Sequence, residues 1–350
     1  KPDGAATSFI RNDRGQVTEV HFANGGRSAI EYDQHANPVA LTLPGGARWQ
    51  WTYDHFGRRT SETDPTGATR RFVLDDRGDL VSVHHPNGAV TRFAFDGEGR
   101  PVRVTDQNGG STEIVWGGLN RLCSRKDANG ATVQLRYDRE GEIVTIINEA
   151  GDTTSFSYDV ARQLSKRVDF DGSITRFRYD NCRRTTRIEN GLGEFVDLVY
   201  SAAGELIEQH LADATVVAFR YNARGEVIAT ESPGSSVDLE RDAVGRIVRE
   251  QLQIGARSYW AEVDYDPFGR VTARRSSEGY REQVERDVDG SRIKTTLDDQ
   301  AIGHQNDALG REIRRLLSSG GNIDSNYDNM GRLHRRVVTA PTPERALPRG

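Results

Sequence analysis

The sequence predicts an all-β repeat fold, one long antiparallel meander, and three observations carry that expectation. The first is a register. Tyr32, Tyr53, Leu74, Phe95, Trp116, Tyr137, Tyr158, Tyr179, Tyr200 and Tyr221 follow one another at intervals of 21 residues without a slip, and nine of the ten are aromatic. A fixed period in the range of 20 to 50 residues is the mark of a repeat architecture. The second is a pair of turns in each unit, both with Asp or Asn at the first place and Gly at the fourth. The third is alternation in the segment that leads into each register position, the period expected of a half-buried strand.

Each part of the unit has a physical reason. Asp138 to Gly141 has the type I turn signature: a carboxylate that can bond backbone N–H groups two residues on, and a Gly that takes the positive φ that follows. Asp54 and Gly57 hold the same places four periods earlier. The second turn lies about ten residues later and reads Asp64-Pro65-Thr66-Gly67, His85-Pro86-Asn87-Gly88, Asp106 to Gly109 and Asp127 to Gly130, continuing through Asn148 to Gly151 and Asp169 to Gly172. Its closing glycine recurs at Gly46, Gly67, Gly88, Gly109, Gly130, Gly151, Gly172 and Gly193. Two turns per 21 residues leave two strands of about six residues, each roughly 20 Å long. In the first strand Ile30, Trp51, Phe72, Phe93, Ile114, Leu135, Phe156, Phe177, Leu198 and Phe219 stand two places before the register residue. Polar residues such as Gln50, Arg71, Arg92, Glu113, Gln134 and Arg176 stand one place earlier still. The second strand carries branched residues such as Val39, Val81, Val102, Val144, Ile207 and Ile228. Stability in such an array is nearly one-dimensional, because each unit is completed by its neighbours.

The array is expected over residues 1–338, regular across 32–235 and irregular after 235, with a Pro-rich linker or tail over 339–350. The irregular copies include Arg241 to Arg246, Tyr265 to Arg270, Arg286 to Gly290, Asn306 to Arg311 and Tyr327 to Arg332. Their uneven spacing is expected to mark bulges, longer loops or a bend. A β-propeller is the architectural alternative, since two units would make one four-stranded blade, but blades would give alternate repeats a consistent difference and none is evident.

Composition excludes several functions. Of 350 residues, 47 are basic and 52 acidic, and the net charge of −5 argues against a nucleic-acid binder, which normally carries a basic excess. The mean hydropathy is −0.68, and no apolar run reaches the ~18 residues of a membrane span, so no membrane insertion is expected. Cys123 and Cys182 fall at different points of the repeat and read as free thiols. The turn Asp residues invite a metal or carboxylate-dyad reading, yet turn capping accounts for their place in nearly every copy. His85 occupies the Asp place of a turn and reads as a turn residue. No nucleophile elbow or phosphate-binding loop occurs, so no cofactor and no enzymatic activity are expected of these residues. The recurrent Arg at the end of the turn (Arg58, Arg100, Arg184, Arg270, Arg332) reads as a partner of the turn Asp in exposed pairs worth about 0–1 kcal/mol. The start at Lys1, without initiator Met or apolar signal core, reads as a piece of a longer polypeptide.

Tyr-Asp-x-x-Gly-Arg-(Leu/Val/Ile) at this period, with an Asp/Asn-x-x-Gly turn between copies, resembles the YD repeats of the RHS family. Tyr53 to Arg58, Tyr265 to Arg270 and Tyr327 to Leu333 match best, and the resemblance covers roughly residues 10 to 338. That family includes bacterial polymorphic toxins, subunits of insecticidal toxin complexes and animal teneurins. The resemblance implies a curved or spiralling sheet forming part of a hollow shell, with a C-terminal toxin polypeptide as enclosed cargo. It further implies secretion-spike proteins as partners through other parts of the polypeptide, assembly in the cytoplasm, and delivery out of a bacterial cell by type VI secretion or a similar route. The family's Asp-Pro-x-Gly-Leu element is absent: Asp64-Pro65-Thr66-Gly67-Ala68 and Asp266 to Arg270 lack the Leu and lie within ordinary repeats. No self-cleavage is therefore placed here. A cell-surface module that binds glycans or a receptor through accessible ladder aromatics is the alternative.

Overall fold

The computed structural model describes residues 7–340. They form 32 strands, from β1 (Ser8–Arg11) to β32 (Leu333–Thr339), joined into one sheet, with a single short 3-10 turn at Gly118–Asn120. The tail expected over 339–350 lies outside the described residues except for Thr339, which still belongs to β32, and Ala340. The chain divides into two compact units: one draws on residues up to Val90, on Arg241–Arg249 and on residues from Tyr259; the other comprises Thr91–Glu240 and Glu250–Ser258.

The repeat is visible in β13 (Thr132–Tyr137), β14 (Ile143–Ile147), β15 (Thr153–Tyr158) and β16 (Leu164–Val168). Each pairs antiparallel with the next. Antiparallel pairing between sequence neighbours runs unbroken from β1 to β8 (Leu80–His84), from β9 (Val90–Phe95) to β23 (Ser235–Arg241), and from β25 (Arg257–Tyr265) to β32. A propeller would interrupt the ladder after each four-stranded blade; this sheet does not.

The hairpin at each Tyr-Asp turn is a three-residue loop. Asp54 N–H bonds to Arg58 O at 2.9 Å, Gly57 N–H bonds to Asp54 O at 3.0 Å, and Gly57 has φ +78°. That is a type I turn closed by a left-handed Gly, whose twist suits the flanking strands. His85 fills the first place of such a loop, with Gly88 N–H on its carbonyl at 2.9 Å.

One regular feature was not expected. In every described Tyr-Asp hairpin the register slips by one residue opposite the aromatic position, as where Arg136 faces Thr145 but Tyr137 faces Ile143. The same slip occurs at Tyr32, Tyr53, Leu74, Tyr158, Tyr179 and Tyr200, among others. The turns between repeats show none. A β-bulge adds one residue to one strand and sharpens its bend, so the sheet receives one bend per unit, always in the second strand of the hairpin. Bulges therefore do not distinguish the irregular region. Its uneven spacing comes from shortened connections and lengthened strands. Ser232 pairs with Ser235 and Leu297 with Gln300 across two-residue turns, and β24 (Ile247–Ile254) and β25 are eight and nine residues long.

Few apolar side chains are fully covered: Ala40, Ala229 and Val284 are the buried apolar residues among those described. The rest of the ladder is half-buried. In β5 (Arg48–Tyr53), β9, β13 and β17 (Ile174–Tyr179) the register aromatic and the residue two before it are partly covered, while the residues between them are exposed.

Candidate functional surface

The sequence-predicted positions assemble into one repeated stitch at the Tyr-Asp edge of the sheet. Asp54 Oδ1 accepts from the N–H groups of Phe56 and Arg58, both at 2.9 Å, and its Oδ2 accepts from Arg58 Nε at 2.7 Å. Asp96, Asp180, Asp242, Asp266, Asp307 and Asp328 repeat this clasp with the Arg four residues on. Asp138 caps Gly141 and Glu142 but has no Arg to clasp, since Glu142 stands there.

The clasped Arg then reaches into the next unit. Its guanidinium lies over the register aromatic that follows: Arg100 over Trp116, Arg184 over Tyr200 at 4.7 Å, Arg246 over Tyr265 at 4.8 Å and Arg311 over Tyr327 at 4.6 Å. Arg58 and Arg184 also donate to the carbonyls of Asp75 and Ser201 in the next turn. This corrects the reading of exposed pairs for Arg58, Arg100, Arg184 and Arg270, while Arg332 keeps 59 % side-chain exposure. Arg184 and Asp180 retain only 32 % and 24 % side-chain exposure, and the Tyr200 ring of the neighbouring unit offers the guanidinium a cation–π face, whereas Arg58 lies over Phe56 of its own turn.

Arg100, through its side chain and its backbone N–H, holds the Asp96 carboxyl below the ordinary range. Backbone N–H donors lead the same depression at Asp75, Asp180 and Asp328. A folded-state pKa below the unfolded value gives stability that is complete above the unfolded value, ~3.9, and is lost as pH falls through the lower folded value. The thermal midpoint of the chain should therefore be flat from neutral pH down to about 5 and fall steeply below about 4 as many turns lose their clasp together. Melting followed by circular dichroism across this range checks it; a midpoint that rises on acidification would contradict the clasp.

The register aromatic completes the bulge. Tyr158 Oη donates to Ile143 O at 2.8 Å, and Ile143 is the residue opposite Tyr137 at the bulge of the preceding unit. Tyr32, Tyr53, Tyr137, Tyr179, Tyr200, Tyr221 and Tyr327 make the same bond to a carbonyl fifteen residues earlier. Tyr265 makes it eighteen residues earlier, and Trp116 makes it with its indole N–H, at 2.7 Å to Pro101 O. Phe95 and Leu74 carry no donor. Burial raises the Tyr158 phenol above its ordinary value, with help from Glu142 and Asp138, which keeps it a donor.

On the ladder face Trp51, Phe72, Phe93, Ile114, Leu135, Phe156, Phe177, Leu198 and Phe219 are half-buried by their neighbours in the row. They keep part of their apolar surface uncovered over strand after strand.

Within the first unit the two opposite edges of the sheet meet. Phe22 packs edge-on against Phe268, with centroids 6.2 Å apart at 70°. Asn24 Nδ2 donates to Val288 O at 3.2 Å, and Gly45 N–H donates to Asp289 Oδ1 at 2.8 Å. Trp49, Leu309 and Met330 line the same seam further along. The inter-repeat turns at 22–25 and 43–46 thus receive the Tyr-Asp turns at 266–269 and 287–290. Sequence reasoning did not find this contact. Its signal was present in the apolar turn tips Phe268, Val288, Leu309 and Met330, which follow one another in the last four units.

A hydroxyl–imidazole–carboxylate row was also missed: Thr295 Oγ1 lies 3.0 Å from His304 Nε2, and His304 Nδ1 bonds Glu312. Thr295 is 5 % exposed, and the strands around it are paired in the ladder, so the row reads as a cross-strand polar contact. Cys123 and Cys182 are free thiols. Among the described residues no cluster of three or more His, Cys, Asp or Glu could hold a metal, and no helix is long and apolar enough to cross a membrane.

An RHS repeat family model matches residues 32–69, 75–112 and 137–174. No curated protein matches the chain. Among solved structures, TcdB2-TccC3-TEV aligns over 97 % of this chain and 24 % of its own, with a TM-score of 0.64 and 14 % identity. TcdB2-TccC3 without its hypervariable C-terminal region aligns over 99 % and 25 %, with a TM-score of 0.54 and 13 % identity. TcdB2-TccC3-Cdc42 aligns over 98 % and 25 %, with a TM-score of 0.52 and 13 % identity. At such identities the likeness is one of fold, and the chain spans about a quarter of the length of those solved chains.

Proposed function

We propose that this chain of RHS repeats is a segment of a toxin-associated shell, which encloses and protects a toxic C-terminal polypeptide until delivery. The observation that carries the proposal is the ladder face: a row of large apolar side chains left half-buried over strand after strand of one continuous sheet. Such a face needs a second occupant, and a sheet that bends at every unit and meets its own opposite edge supplies walls for one. The protein's part is steric. It excludes proteases and bulk solvent from the cargo, with no chemistry by its own residues. Delivery by type VI secretion, in competition between bacteria, is the route this reading favours, with spike proteins engaged by other parts of the polypeptide and assembly in the cytoplasm before export.

The test is to express the chain together with whatever its gene encodes downstream and to record intact masses of everything that co-purifies, before and after limited proteolysis. A distinct C-terminal polypeptide that stays bound and resists protease supports the shell. A chain in which every segment downstream of the repeats is digested at the rate of an unprotected control overturns it. The surface-recognition reading asks for accessible ladder rings. The hydroxyls of Tyr137, Tyr158 and Tyr179 are engaged and those rings are half-buried, which counts against it.

A further inference from the structure

The seam in the first unit defines what a Tyr-Asp edge can bind: the opposite, inter-repeat edge of another stretch of the same repeat. The contact is built from apolar turn tips, a carboxylate on a turn N–H, and an amide on a turn carbonyl. The second unit carries uncovered apolar turn tips on both of its edges, and a carboxylate on its Tyr-Asp edge. On its Tyr-Asp edge Leu119 and Val160 stand at turn tips with 84 % and 106 % exposure. Glu140 lies between them, in the turn place that Asp289 has at the seam, and is exposed. On its inter-repeat edge Phe170 and Leu192 are 46 % and 88 % exposed at successive turns. Large apolar residues at the tips of polar turns have no local reason to be there. The covered equivalents, Phe268, Leu309 and Met330, show the reason they have elsewhere in this chain. Apolar tips gathered along an edge mark an interaction surface.

We infer that the two turn edges of residues 91–240 are complementary docking surfaces, and that a second copy of this chain fills them head to tail, Leu119 and Val160 of one copy meeting Phe170 and Leu192 of the next. The two surfaces differ, so the contact is heterologous, and copies add head to tail into a row or, where the rotation closes, a ring. Each contact is small, a few turn tips wide, so association is weak and grows with concentration.

The heterologous character gives a decisive test. One variant carries Leu119→Asp with Val160→Asp and loses the Tyr-Asp edge. A second carries Phe170→Asp with Leu192→Asp and loses the inter-repeat edge. Sedimentation velocity over a hundredfold concentration range is expected to show the parent chain growing in mean mass, and each variant alone staying monomeric. An equimolar mixture of the two is expected to form a one-to-one pair and go no further, because each variant retains the edge the other lacks. A parent chain that stays monomeric throughout overturns the inference, as does a mixture that remains monomeric. Oligomers that persist in either variant overturn it too, since they would show association through some other surface. The four positions are exposed, and Leu119 has φ +58°, where Asp is tolerated better than Leu. Should a variant's circular dichroism differ from the parent's, the Ser versions at the same positions replace it and are read the same way.

Discussion

Replacing Tyr158 with Ala is expected to lower the unfolding free energy by roughly 3 kcal/mol, and Tyr158→Phe by about 1 kcal/mol. The Phe variant keeps the ring in the ladder and removes only the hydroxyl that meets Ile143 O, so it isolates one hydrogen bond at the bulge. The Ala variant removes that bond and also the half-buried ring, leaving a gap on the face the two flanking units share. The same argument predicts a gain. Phe95 stands in the register between Trp116, which donates to Pro101 O, and the Leu74 unit, whose strand pairs Leu74 with Leu80. Phe95→Tyr places a hydroxyl fifteen residues after Leu80, where every regular Tyr of the array finds its acceptor. It is expected to stabilise by about 1 kcal/mol. Urea unfolding of the three variants checks the series. If Tyr158→Phe and Tyr158→Ala cost the same, the ring contributes nothing and the ladder account fails.

How much of this was legible in the sequence follows from which features repeat. The turn Asp and Gly, the alternation into each aromatic and the register itself recur often enough that strands and turns could be placed before any coordinates, and His85 could be assigned to a turn despite its identity. The aromatic position was legible but its hydroxyl was not. A row of Tyr reads as stacked rings until the bulge is seen, and the bulge leaves no residue signature, because Val144, Thr60 and Ser165 occupy it equally. One hint was available: the non-Tyr register residues that keep the bond, Trp116 and Asn306, also carry a side-chain N–H donor. The Arg of the turn was legible as a partner of its Asp but not as a cover for the next ring, since that depends on the spacing between strands. The seam was the least legible. It joins residues 244 and 264 positions apart, and only the change from polar to apolar turn tips betrayed it.

Gly141→Ala is expected to destabilise by roughly 3 kcal/mol, while Gly151→Ala, at the other turn of the same unit, costs about 1 kcal/mol. Both glycines have positive φ, +101° and +89°, so both substitutions carry backbone strain. They differ in what a side chain would meet. A Cβ at Gly151 points into open space, whereas one at Gly141 would run into the guanidinium of Arg121 from the preceding unit. Arg121 cannot simply withdraw, because it lies over the Tyr137 ring at 5.5 Å. Gly141 also departs from the other turns by donating its N–H to the Asp138 carboxylate, at 2.7 Å. An Ala there displaces the stitch between two units as well as straining one turn. The two contributions can be separated with Arg121→Ala, which removes the obstacle and leaves the strain. In that background Gly141→Ala should cost no more than Gly151→Ala does in the parent chain, a coupling of about 2 kcal/mol between residues twenty positions apart in sequence. Equal costs in both backgrounds would mean that the turn glycine serves its own loop alone and that the Arg over the ring does not bind unit to unit.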